Sequence, residues 1–144
     1  MDIGMVGSIA AFTLAALGSA LGIGAAAMAA VGAWKKCYIQ NKPVPFLLMA
    51  FIGAPLTQTI YGLILMGNIR TAVEGGSTDP LFALFTGILS GIAIGASALY
   101  QGRAGANASD AFAETGKGFV NYILALGSVE VVALFVFIFA SLQL

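Results

Sequence analysis

Four long apolar runs, separated by three short polar stretches, divide the chain. The first extends from about Ile3 to Trp34 and is mostly alanine and glycine, and the second covers about Val44 to Ile69. The third starts near Leu81 and the fourth occupies about Phe119 to Leu144. A helix needs about 20 apolar residues to cross a bilayer, and each run is long enough. The pattern predicts an all-α membrane protein with four transmembrane helices at about 3–40, 44–69, 81–113 and 117–143. Between them, Lys35 to Pro43 reads as a basic turn, with Pro43 and Pro45 expected to open the second helix. Arg70 to Pro80 reads as a loop containing Gly75-Gly76-Ser77 and Asp79-Pro80 turn chemistry, and Asn107 to Gly118 as a third polar stretch.

Composition narrows this further. Only 8% of the residues are charged and 60% are hydrophobic, against about 25% charged in soluble domains, so no soluble domain is expected beside the helices. The net charge is zero and no basic tract is present, which argues against nucleic-acid binding. Histidine is absent and Cys37 is the only cysteine, so an internal disulfide and a zinc cluster are excluded. Met1-Asp2-Ile3-Gly4 lacks the basic start of a signal peptide, and the first run is expected to remain as a span. Lys35, Lys36, Lys42, Arg103 and Lys117 fall in or near the first and third connections, whereas the second has only Arg70 beside Glu74 and Asp79. The positive-inside rule therefore makes the loops 35–43 and 103–118 cytoplasmic and places both termini outside.

Within the apolar runs, small residues recur at intervals of four. Gly18, Gly22, Ala26 and Ala30 form one stripe, and Gly87, Gly91 and Gly95 a stricter one, the flat faces that let helices approach closely. The two halves also resemble each other. Leu21-Gly22-Ile23-Gly24-Ala25-Ala26-Ala27-Met28 lies over Ile92-Ala93-Ile94-Gly95-Ala96-Ser97-Ala98-Leu99 at an offset of 71. At an offset of 72, Pro55-Leu56-Thr57-Gln58 falls on Gly127-Ser128-Val129-Glu130. The chain reads as a duplicated helical hairpin, residues 1–72 and 73–144, in which Gln58 stands where the second copy has Glu130.

Glu130 is the one charged side chain between Phe119 and Leu144. A carboxylate at the centre of a spanning helix costs roughly 2.5–3.5 kcal/mol on insertion scales and normally faces protein or a polar cavity. The second run contains a matching irregularity, Ala54-Pro55-Leu56-Thr57-Gln58-Thr59-Ile60-Tyr61-Gly62. Pro55 has no N–H for the Phe51 carbonyl, so a kink is expected there, followed by a dense set of hydrogen-bonding side chains. Gln101 and Glu130 are 29 residues apart. An antiparallel pair turning near Thr115 would bring them to one depth, and Gln58 reaches it by the same count, provided the first and third helices continue past Lys35 and Arg103. One carboxylate, two amides and a hydroxyl make an all-oxygen set with a single negative charge, which suits a small monovalent cation. For a proton the carboxyl alone suffices, so the extra oxygens of Thr57, Gln58 and Gln101 favour Na+ over H+. No catalytic triad, phosphate loop or metalloenzyme motif accompanies them.

The duplicated hairpin, the glycine stripes, the Pro55-to-Gly62 motif and the mid-helix Glu130 resemble the proteolipid of V/A-type rotary ATPases, the rotor-ring component known as K or c. The set Thr57, Gln58, Gln101 and Glu130 is similar to that of the sodium-translocating bacterial members. The resemblance implies that these side chains, with the backbone carbonyl of Ala54, hold Na+, and that Tyr61 hydrogen-bonds Glu130. It also implies a homo-oligomeric ring in the lipid bilayer of the cell membrane, turning against a stator a/I subunit. The central stalk would be met through the loops 35–43 and 103–118. Such a chain is no enzyme on its own. Relatives often have Gly where Leu56 stands, and Thr or Ser where this chain has Val131. The rival reading is a small four-helix multidrug-type transporter, but those place the carboxylate in the first helix, which here is almost free of functional side chains.

Overall fold

The computed structural model describes residues 2–144; Met1, the first residue of the expected N-terminal segment and hairpin, lies outside them. The described residues form α1 (Ile3–Ile39), α2 (Leu48–Gly53), a 3-10 turn (Ala54–Leu56), α3 (Thr57–Glu74), α4 (Pro80–Thr115) and α5 (Phe119–Leu142). With α2 and α3 counted as one span, four helices are long and apolar enough to cross a membrane. The chain is an all-helical, multi-pass membrane protein.

Helix ends follow local chemistry. Asp2 caps α1 by accepting from the Gly4 N–H at 2.8 Å, and Asp79 caps α4 by accepting from Leu81 and Phe82, with Pro80 at the first helical position. Gly116 and Gly118 take positive φ on either side of Lys117, and this reverses the chain between α4 and α5 within three residues.

Two boundaries differ from the sequence expectation, both of them ends of the second span. The second span starts at Leu48 and not near Val44, because a residue preceding proline is pushed out of the α region, which affects both Lys42 and Val44. It runs on to Glu74, through the first five residues of the expected loop, with Arg70 and Glu74 paired one turn apart. Helices α1 and α4 are 37 and 36 residues long, close to the expected 3–40 and 81–113, and so take in the polar stretches Lys35 to Ile39 and Arg103 to Thr115. At 1.5 Å per residue each is about 55 Å long, well beyond a hydrocarbon core of about 30 Å.

Helix α1 packs chiefly on α4 and then on α3, while α4 also carries α5. The α1–α4 contact is main chain on main chain. A Cβ placed on Gly87 would run into the Gly7 carbonyl, one on Gly18 into the Gly95 backbone, and one on Gly102 into the Gly22 carbonyl. The order of these pairs shows that α1 and α4 run in the same direction, as corresponding helices of two parallel repeats would. Apolar side chains gather in two clusters, one around Leu65, Ile69, Ile94 and Ala133 and another around Leu48, Phe51, Phe112 and Leu126. Gln58 and Gln101, polar residues that link α3 to α4, are fully buried, and Tyr61 packs against the first cluster.

Candidate functional site

Pro55 breaks the second span in the manner expected of a residue without an N–H. The 3-10 turn it forms leads directly into Thr57 and Gln58 at the start of α3. Thr57 Oγ1 lies 3.1 Å from the Ala54 carbonyl and 3.1 Å from Gln58 Oε1, donating between these two acceptors. Three oxygens from the turn and the start of α3 therefore stand side by side.

From there a chain of hydrogen bonds crosses the molecule. Gln58 Nε2 donates to Gln101 Oε1 at 2.8 Å, and both glutamines are fully buried. Gln101 Nε2 donates in turn to Glu130 Oε2 at 3.1 Å and to the Leu126 carbonyl at 3.0 Å. The other carboxylate oxygen, Glu130 Oε1, accepts from the Tyr61 hydroxyl at 2.9 Å. The Tyr61 ring is held by stacking on Phe137, with centroids 5.8 Å apart and planes 13° from parallel. Glu130 itself is half-buried and is the twelfth of the 24 residues of α5, at the helix midpoint.

The structure thus brings Ala54, Thr57, Gln58, Tyr61, Gln101 and Glu130 into one network drawn from three spans. Thr59, from the same polar run, is half-buried and stays outside it. The orientation of the amides is specific: Gln101 turns its nitrogen toward Glu130 and its oxygen toward Gln58. Each oxygen of Glu130 accepts one hydrogen bond, a pattern that fits an ionised carboxylate, which has only acceptors.

No lysine or arginine among the described residues neutralises that charge. The two ion pairs among those residues are Lys36–Glu114 and Arg70–Glu74, and neither includes Glu130. Arg103, expected in a connection, sits in α4 two residues beyond Gln101 and is exposed, its guanidinium 5.4 Å from the Tyr100 ring centroid. A carboxylate in an apolar surrounding without a basic partner is costly unless a mobile cation or a proton balances it.

Sequence reasoning missed Ser97 and two backbone groups. Ser97 Oγ donates to the Val129 carbonyl at 2.8 Å and sits 3.5 Å from Gln58 Nε2. Its spacing of one helical turn before Gln101 was an available signal, but a serine within an alanine and glycine stripe also reads as merely small. The carbonyls of Leu126 and Val129 have no signature in any side-chain pattern.

Residues 81–143, essentially α4 and α5, match the family model of the ATP synthase C subunit. The match covers the second hairpin, somewhat less than half of the chain. The proteins of this family are non-catalytic rotor proteolipids that assemble into membrane rings beside a stator a subunit. No curated protein matches the chain.

Proposed function

We propose, from the match of the second hairpin to that proteolipid family, that the chain is the ion-carrying rotor-ring subunit of a V/A-type rotary ATPase, with one Na+ carried on Glu130 of each copy. The observation that carries this reading is the network itself. A mid-helix carboxylate with no basic partner is tied, through two buried amides, to a cluster of neutral oxygens on a proline-broken helix. That oxygen set has the chemistry of a site for a hard monovalent cation, with Thr57, Gln58, Gln101, Glu130 and the Ala54 carbonyl as the ligands and Tyr61 steadying the carboxylate. A site for a proton has no need of the neutral oxygens. A stator cation passing Glu130 would weaken ion binding by competing for the same charge, and this allows release on one side of the membrane and loading on the other. Each copy has one such carboxylate for two hairpins, so ring rotation moves one ion per four spans and couples that flow to a cytoplasmic head that makes or hydrolyses ATP.

Carbodiimides modify a protonated, accessible carboxyl, so labelling of Glu130 reports its occupancy. Sodium at fixed pH should protect Glu130. Protection by raised pH alone, with sodium having no effect, would show a proton to be the cargo. Glu130→Gln should abolish both labelling and coupled transport while rings still assemble, and ion-driven rotation in that variant would refute the role assigned to Glu130.

A further inference from the structure

The ion-site reading assigns no part to Ser97, yet this side chain bonds to two of the three helices that build the site. We propose that Ser97 is a positioning residue, whose hydroxyl fixes both the end of the Gln58 amide that faces Thr57 and the rotation of α5 that aims Glu130. The proposal rests on the reading of this network as an ion site.

A serine hydroxyl has a single proton to donate. Ser97 gives it to the Val129 carbonyl at 2.8 Å, so toward Gln58 it can only accept. Gln101 offers Gln58 an acceptor as well, since its two amide protons are engaged by the Leu126 carbonyl and Glu130 Oε2. The α4 side of Gln58 therefore presents two acceptors and no donor. Gln58 satisfies them only with its nitrogen, which leaves its oxygen beside Thr57 Oγ1, the hydroxyl that also reaches the Ala54 carbonyl. An amide turned end for end would set its oxygen against two other oxygens and its nitrogen among the would-be ligands.

The same hydroxyl is one rung of a two-rung ladder. Ser97 and Gln101 lie one turn apart on α4 and are both buried. They donate to Val129 and Leu126, carbonyls that lie almost one turn apart on α5. Rotation of α5 in either sense breaks both rungs, and Glu130 directly follows Val129. In the first repeat the position of Ser97 is taken by Ala26, just as Gln58 takes that of Glu130, so the hydroxyl and the carboxylate occur together in the second copy alone.

The test measures the sodium concentration that half-protects Glu130 from a carbodiimide in the assembled full-length protein. Ser97→Ala should raise it about tenfold, the effect of losing a buried hydrogen bond, and Ser97→Thr, which keeps the hydroxyl, should restore the wild-type value. Ser109→Ala is the control, because Ser109 is also buried but bonds within α4, to the Gly105 carbonyl at 2.9 Å. It should leave the midpoint unchanged. An unshifted midpoint in Ser97→Ala, or an equal shift in Ser109→Ala, overturns the role of Ser97 while leaving the ion site standing. A wild-type protein that sodium does not protect overturns both. If Ser97→Thr does not assemble, the comparison of the two alanine variants decides alone.

Discussion

At the level of single side chains, the site is defined by how few of its groups carry charge. Tyr61 illustrates the balance: its hydroxyl donates to Glu130 Oε1, while its ring is fixed separately by Phe137. Tyr61→Phe keeps the stack and deletes the bond. It should weaken sodium protection of Glu130 by about 1 kcal/mol, a factor of about five, the scale of interhelical hydrogen bonds in membranes. An unchanged midpoint in the same labelling assay would mean that the hydroxyl does not steady the carboxylate. Most of this set was legible in the sequence, because Gln58, Gln101 and Glu130 are polar residues in apolar runs and residue counts bring them to one depth once the first and third helices continue past Lys35 and Arg103. What was not legible was the direction of each hydrogen bond. The letters for glutamine and serine do not say which atom faces which, and the Leu126 and Val129 carbonyls are invisible to any reading of side chains.

Among the helices, two kinds of glycine occur, and they should respond oppositely to substitution. Gly18 faces the Gly95 main chain so closely that a methyl group has no room, whereas a Cβ on Gly67 meets nothing within 4 Å. Gly18→Ala should destabilise the protein by about 1–3 kcal/mol as an overpacked contact. Gly67→Ala should be neutral or stabilising by up to about 1 kcal/mol through reduced backbone freedom in the unfolded chain. Thermal unfolding in detergent measures both, and similar effects at the two positions would contradict the main-chain contact of α1 with α4. The glycine stripes made this contact legible, whereas the helix ends were less so. Hydropathy marks where the bilayer stops, but α3 continues beyond its expected end at Ile69 on the one-turn charge pair Arg70–Glu74, which stabilises helix without being apolar.

Across the full length of the bundle, the polar ends differ. One end holds the Lys36–Glu114 pair, the Trp34 indole bonded to the Pro45 carbonyl at 2.9 Å, and the Lys117 turn. The other holds Asp2, Asp79 and the Ser77 hydroxyl 3.4 Å from the Leu144 carbonyl. Lys35, Lys36, Lys42 and Lys117 lie at the first end, which the proposed orientation places in the cytoplasm. With the buried Cys37 replaced by alanine, an impermeant maleimide should label Lys42→Cys in inverted vesicles only and Ser77→Cys in right-side-out vesicles only. The opposite pattern would reverse the orientation.

The backbone contact between α1 and α4 also has a mechanical side. A sideways push on Glu130 passes through the Ser97 and Gln101 rungs into α4, and from α4 into α1 across surfaces with almost no side chains between them. Layers of flexible side chains shear and store elastic energy; abutting main chains do not. The four-span unit should therefore behave as a stiff lever in the proposed rotary machine.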